Sequence, residues 1–168
     1  MKLERAGTEQ WVDWLQYKSH LRGLNREECR LIGRALSPLH VNQGEHIFEK
    51  GESNREVFLI QNGYVTVGQP VKAHQWIDLG PYGEVDFMDD SDQDDELQDK
   101  VILGPGDCVG ETNLFVSHSH SLTAIAAEEG ELLCLDACKV PEIFSRDPHV
   151  VQCFSELLKR NMGYLRLR

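Results

Sequence analysis

A short polar segment after an apolar strand pattern is the clearest candidate binding site in this sequence. Residues 110–115 are Gly-Glu-Thr-Asn-Leu-Phe, which indicates a strand end that opens into one helical turn. Such a turn presents free backbone N–H groups, and these groups bind anions. The sequence therefore predicts an anion-binding turn that begins at Gly110. Glu111 has two interpretations, a ligand contact or a helix-start carboxylate satisfied by the same N–H groups.

Two histidines, His118 and His120, alternate with serines directly after this turn. They allow three interpretations: a metal or haem ligand pair, a pH-sensing anion site, or part of a solvated loop. Two histidines at positions i and i+2 are a weak metal pattern without a third ligand. We expect a solvated loop and no metal.

Other chemical motifs are incomplete. Asp90, Asp92 and Asp94 have the spacing of calcium ligands, but the central glycine of that motif is missing and Val101 stands where its glutamate belongs. No nucleophile elbow, phosphate-binding loop or zinc-protease helix motif occurs. We expect neither a calcium site nor enzymatic activity.

The negative charge is concentrated in one segment. The 168 residues have a formal net charge of −11, and residues 84–100 contain nine acidic side chains and one lysine. We expect an exposed acidic loop inserted between two strands, with a basic protein surface as one candidate partner. The chain lacks the positive footprint that nucleic-acid phosphates require, so no binding to DNA or RNA is expected.

Cysteine usage and hydropathy predict the compartment. The five cysteines are odd in number and irregularly spaced: Cys29, Cys108, Cys134, Cys138 and Cys153. No apolar run indicates an export signal, and none reaches the roughly 20 residues that cross a bilayer. We expect reduced thiols in a cytoplasmic protein with no membrane attachment.

The first segment, 1–38, has helical periodicity. Thr8 is a candidate helix cap before an apolar stripe formed by Trp11, Trp14 and Leu15. Asn25 and Glu28 have the spacing of a capping box for a second helix. Pro38 is expected to end that helix. Its buried stripe is predicted to comprise Leu31, Ile32, Ala35 and Leu36.

The middle segment, 39–139, has the texture of an all-β roll or barrel, because short apolar runs alternate with glycine-containing turns. The predicted strands are 39–41, 46–49, 56–61, 64–70, 74–79, 100–103, 108–109, 122–127 and 131–136. The dipeptide Asn62-Gly63 predicts a tight hairpin turn between two of them.

The last segment, 140–168, returns to helical periodicity. A short helix containing Val140 and Phe144 is predicted to stop at Asp147-Pro148, and a longer helix follows. The wide apolar face of the longer helix suits either a homodimer contact or a cover for the roll. The sequence ends before a helix-turn-helix could follow, so no DNA-binding domain is expected.

The region 44–136 resembles the cyclic-nucleotide-binding domain. The resemblance rests on three motifs in order: Gly-Glu-His-Ile-Phe-Glu-Lys-Gly at 44–51 with the apolar run 57–67, Leu-Gly-Pro-Gly-Asp-Cys-Val-Gly-Glu at 103–111, and 123–127 followed by 132–136. The resemblance implies a jelly-roll-like β-roll with flanking helices. It also implies a regulatory or sensor role without catalysis.

The resemblance also implies a ligand site. Glu111 would accept a hydrogen bond from the ribose 2′-hydroxyl, and the amides around Gly110 to Thr112, next to Asn113, would face the cyclic phosphate. The arginine that pairs with the phosphate in this family would fall at His120 or Ser121, in a cassette that ends at Thr123. Here no arginine or lysine occurs between Lys100 and Lys139.

Two functions follow from these features. The first is a regulatory module that binds cAMP, cGMP or a related small anion and moves its C-terminal helix in response. The second is a protein-interaction scaffold that has lost nucleotide binding, which the missing arginine favours. A protein partner is expected in both cases.

Overall fold

The computed structural model describes the chain except residues 1, 54–55, 71–73, 79, 83, 89–95, 111–118, 137 and 167–168. The α-helices lie at the two ends of the chain: α1 (Lys2–Tyr17), α2 (Arg26–Gly33), α3 (Val140–Arg146) and α4 (Pro148–Arg166). The strands between them are β1 (Leu36–Val41), β2 (His46–Phe48), β3 (Glu56–Asn62), β4 (Val65–Pro70), β5 (His74–Asp78), β6 (Glu84–Met88), β7 (Leu97–Leu103), β8 (Cys108–Val109), β9 (Thr123–Ala126) and β10 (Gly130–Asp136).

The strands form two four-stranded antiparallel sheets. One has the order β1-β10-β3-β8 and the other β2-β9-β4-β7. From β1 to β4 and from β7 to β10, successive strands alternate between the two sheets. Strands β5 and β6 pair with each other as a separate two-stranded sheet, and the chain then returns to the sheet of β4 at β7. This is a double-stranded β-roll with flanking helices, as the sequence predicts.

The two central strands of the first sheet, β3 and β10, are largely buried on both faces. Val57 and Leu59 of β3 contact the helices, while Phe58 and Ile60 lie in the interior of the roll. β10 divides in the same way, with Leu133 on the helical side. Burial on both faces explains why β3 is continuously apolar, since a sheet exposed on one face would alternate.

The turn at Asn62-Gly63 is not the hairpin that the sequence predicts. Gly63 has the expected positive φ of 89°, but β3 and β4 belong to different sheets. The chain turns a corner between the sheets here, and a Cβ atom on Gly63 would lie 3.0 Å from the carbonyl oxygen of Glu129. A dipeptide fixes the local turn but not the strand that each flank pairs with.

The N-terminal helices differ from prediction at their ends. α1 begins at Lys2, so Thr8 lies inside the helix and not at its cap. The capping box of Asn25 and Glu28 is confirmed. α2 ends at Gly33, and Pro38 lies within strand β1, where it pairs opposite Leu133. β1 is an edge strand, and an edge tolerates a proline because one side of it needs no N–H donor.

The acidic segment 84–100 is not a loop along its whole length. Residues 84–88 form β6, which pairs with β5, and β7 already begins at Leu97. Acidic and apolar residues alternate over 84–88, which is typical of a strand. The prediction of a loop relied on the number of acidic residues and overlooked this alternation. The Asp90-x-Asp92-x-Asp94 pattern lies outside the described residues.

The C-terminal helices complete the core. The break at Asp147 is confirmed, since α3 ends at Arg146 and α4 begins at Pro148. Val150, Phe154 and Leu157 of α4 are buried against the first sheet and the N-terminal helices. In the part of the chain that the structure describes, no α-helix combines the length and the apolar character of a bilayer-spanning segment.

Candidate functional site

Gly110 ends strand β8 in a backbone conformation that favours glycine. Its φ is 81°, in the left-handed region. A Cβ atom at this position would lie 3.0 Å from the carbonyl oxygen of Glu56 and 3.3 Å from Cε1 of His120. Both the backbone angle and the space therefore require the absence of a side chain.

His120 is buried, with 3% of its surface exposed. Its ring stacks on Phe48 with the ring centroids 3.8 Å apart and the planes at 9°. The prediction of a solvated loop is therefore wrong at His120. The reason lies in the tertiary structure. Phe48, at the end of β2, stacks on the ring of His120, and Gly110 has no side chain that would crowd the same ring.

The segment that contains His120 is tied to the turn after β2. The N–H of Gly51 donates to the carbonyl oxygen of His120 at 2.8 Å, and the N–H of His120 donates to the carbonyl oxygen of Glu52 at 2.9 Å. The N–H of Lys50 donates to the buried Oγ1 of Thr123 at 3.0 Å. These three bonds fix the backbone on both sides of the ring.

Burial lowers the pKa of His120 below its usual value of 6.5, and the nearby carboxylate of Glu52 partly opposes this shift. A buried imidazole loses the hydration that stabilises its charged form. His120 is consequently neutral at pH 7. It supplies a ring and hydrogen-bonding nitrogens but no fixed positive charge.

The turn 49–52, which is hydrogen-bonded to the backbone of His120, carries charged side chains. Lys50 extends away to donate from Nζ to Oε1 of Gln69 at 2.9 Å. Glu49 lies 3.2 Å from Nδ1 of His46. The balance near His120 is therefore mixed, with no cation directed at the ring among these contacts.

The structure brings together three of the seven predicted site residues, namely Gly110, His120 and Thr123. Ser121 is exposed beside them. Glu111, Thr112, Asn113 and His118 lie outside the described residues. Over the described parts of the chain, no three His, Cys, Asp or Glu side chains are grouped as a metal site requires.

Helix α4 contacts the strand that leads into Gly110. Asn161, which is 5% exposed, donates from Nδ2 to the carbonyl oxygen of Cys108 at 3.1 Å. The contact lies two residues before Gly110. A shift of α4 would therefore act directly on the backbone that enters the candidate site.

A second contact joins α4 to the turn before β8. Nδ1 of His20 lies 2.6 Å from Oδ1 of Asp107, and Nη2 of Arg160 lies 3.2 Å from the same histidine nitrogen. The other carboxylate oxygen of Asp107 accepts from the N–H of Gly104 at 3.0 Å. This His20–Asp107–Arg160 cluster links the N-terminal helices, the β7–β8 turn and α4.

The sequence analysis missed Phe48, Asn161 and the cluster around Asp107. Phe48 lies in the first glycine motif, where an apolar residue is explained by core packing alone. Asn161 is a polar residue on the apolar side of α4. A polar residue at such a position indicates a buried hydrogen bond, and this signal could have identified Asn161.

The architecture is a double-stranded β-roll with flanking helices, and the chain matches the model of one family with this fold, the cyclic nucleotide-binding domain, over residues 38–147. The match covers more than half of the chain. The chain belongs to the cyclic nucleotide-binding domain family. No curated protein sequence matches it.

Several solved structures share the fold. The catabolite activator protein of Thermus thermophilus is 27% identical with a TM-score of 0.64, and the match covers 89% of this chain and 61% of that protein. The regulatory domain of Toxoplasma gondii PKA, solved with cAMP, is 16% identical with a TM-score of 0.65, at 95% and 51% coverage. The regulatory subunit of a cAMP-independent protein kinase A from Trypanosoma brucei is 19% identical with a TM-score of 0.65, at 95% and 47% coverage. The chain thus spans about half to three fifths of these proteins.

Proposed function

We propose that this chain is a non-enzymatic regulatory module that binds a cyclic nucleotide, cAMP or cGMP, between Gly110 and Thr123. The observation that carries the proposal is the meeting of Gly110 with the segment 120–123 at the end of β8. There Gly110 has a positive φ, a conformation found where successive backbone amides bind anions, in a chain that belongs to the cyclic nucleotide-binding domain family.

The phosphate of the ligand would be bound by backbone amides, and not by an ion pair with an arginine side chain. Glu111 would accept from the ribose hydroxyl and the amides from Gly110 to Thr112 would contact the phosphate, with Asn113 and Ser121 at its margin. His120 offers a neutral ring in place of a guanidinium. Losing a charge-assisted contact of this kind costs about 2–4 kcal/mol, or roughly 30- to 1000-fold in affinity. Binding is therefore expected to be weak at neutral pH.

The signal would leave the site through α4. Asn161 contacts the backbone of Cys108, and the preceding residue, Arg160, lies against the side chains of His20 and Asp107. Two successive α4 residues therefore reach the segment just before Gly110. A ligand that prefers one position of this backbone would bias the position of the helix. The protein that responds to this movement would be a cytoplasmic partner, either another protein or a second copy of this chain.

A second function is favoured by one observation. The resemblance puts the family's phosphate-pairing arginine at His120 or Ser121, and His120 is buried and neutral at pH 7. A scaffold that has lost nucleotide binding can keep this arrangement, and one structural relative is described as cAMP-independent. In that case the module acts through protein contacts alone.

Calorimetric titration with cAMP and with cGMP separates the two functions. We expect binding that weakens at least tenfold in Glu111→Ala, because the variant loses a hydrogen bond to the ligand. Glu129→Ala replaces an exposed glutamate outside the segment 110–123, whose carboxylate faces His40; it is the matched control and should bind as the parent does. No heat and no thermal stabilisation at millimolar ligand would reject nucleotide binding and leave the scaffold.

A further inference from the structure

The described part of the candidate site contains a buried titratable group, His120, whose proton the proposed function leaves unused. His120 stacks on Phe48 and lies against Gly110, where a Cβ atom would be 3.3 Å from its Cε1. It is thus placed beside Gly110, next to which the proposed anion would bind.

No permanent cation from the surrounding sequence competes for this role. Between Lys100 and Lys139 the chain contains neither lysine nor arginine. On the turn packed against the ring, Lys50 donates its ammonium group to Gln69, and Glu49 is engaged with His46. Among the described residues, the carboxylate of Glu52 acts electrostatically on the ring, and Glu56 contributes its backbone carbonyl beside Gly110.

We propose that an anionic ligand binds at this site together with one proton, which is taken up by His120. The inference rests on the proposed function, because it needs an anion that binds next to Gly110. An opposite charge a few ångströms from an imidazole stabilises the imidazolium form. The protonated ring then supplies a positive charge that residues 101–138 do not offer as arginine or lysine.

Linkage makes the coupling reciprocal. If the anion favours the protonated ring, protonation strengthens anion binding by the same factor. The cyclic phosphodiester remains a monoanion at these pH values, so the proton belongs to the protein. Between the pKa of His120 in the free protein and its higher value in the complex, Kd falls up to about tenfold for each pH unit that the solution is acidified.

The test is the Kd of cAMP and cGMP from about pH 8 down to about pH 5.5, with thermal melting to confirm that the protein is folded. Calorimetry in two buffers with different ionisation enthalpies counts the protons taken up and needs no variant. We expect an uptake that approaches one proton per ligand bound, and a Kd that decreases as the pH is lowered.

Three variants assign the effect to His120. His120→Gln should bind weakly and without pH dependence, because amide groups do not titrate. His120→Arg should bind more tightly, also without pH dependence, since its charge is permanent. Lys50→Gln is the matched control and should retain the slope of the parent.

The outcomes separate this inference from the proposed function. Measurable binding with a constant Kd and no proton uptake would overturn the inference and leave nucleotide binding intact. A pH dependence that survives in His120→Gln would overturn the assignment to His120. If the folded protein binds neither nucleotide at any pH, the proposed function itself fails.

Discussion

Asn161 on α4 donates a hydrogen bond of 3.1 Å to the carbonyl oxygen of Cys108 on β8. The two residues are 53 positions apart, and the bond is buried. It joins the C-terminal helix directly to the strand that leads into the candidate site. Helix α4 is therefore part of the site's support as well as a cover for the core.

Asn161→Ala tests this contact. The variant removes the donor to a buried carbonyl, so the free energy of unfolding should fall by about 1–3 kcal/mol. Chemical denaturation measures it. The control is Gln152→Ala, which removes an exposed α4 side chain bonded only to Glu156 at 3.3 Å and should change stability by less than about 0.5 kcal/mol. Equal effects of the two variants would contradict the role assigned to Asn161.

Asp107 is expected to fix the β7–β8 turn through both carboxylate oxygens. Asp107→Ala loses the contacts to His20 and to the N–H of Gly104 together, and stability should fall by about 1–3 kcal/mol. Asp107→Asn retains an oxygen that can accept from Gly104 and should lose less. Thermal melting ranks the variants, and an asparagine variant as unstable as the alanine variant would argue against this division.

Gly110 and Gly44 form a matched pair, because both have a φ of 81° while only Gly110 is crowded. An alanine at either position meets the left-handed backbone cost of about 1–2 kcal/mol. Gly110→Ala should lose more, since its Cβ atom would lie 3.0 Å from a carbonyl oxygen, whereas Gly44→Ala meets nothing within 4 Å. Denaturation midpoints compare the two, and indistinguishable losses would show that the space at Gly110 adapts.

His120 should make stability depend on pH. Burial lowers its pKa in the folded state below 6.5, so the unfolded chain binds the proton more readily. The free energy of unfolding therefore falls as pH decreases from 6.5 toward the lowered value. His120→Phe keeps an aromatic ring against Phe48 and has no proton to bind. Urea denaturation at several pH values should show a smaller acid loss in this variant than in the parent.

His40 provides a control of opposite sign. The hydrogen bond to Glu131 raises the pKa of this exposed histidine above 6.5. Its contribution to stability is fully present below pH 6.5 and is lost as pH rises through the raised folded value. His40→Gln should remove that alkaline loss and leave the acid loss unchanged. If His40→Gln abolished the acid loss, His120 would not be its source.

Sequence alone predicted much of the roll. Strand β8 and the core of β3 were located because apolar runs and turn glycines are local signals. The capping box of Asn25 and Glu28 was predicted for the same reason, since its partners are three residues apart. At the site, the glycine turn at Gly110 was visible, as was the lack of an arginine or lysine.

Tertiary structure decided the rest, because each remaining feature depends on residues far apart in the chain. Pro38 lies in a strand because β10 supplies its pairing partner 95 residues later, at Leu133. Asn62-Gly63 became a corner because its two flanks pair with different sheets. His120 became a buried neutral ring because Phe48 packs on it from the end of β2. The sequence indicated the residues of the candidate site, and the packing of distant segments determined the charge and exposure of His120.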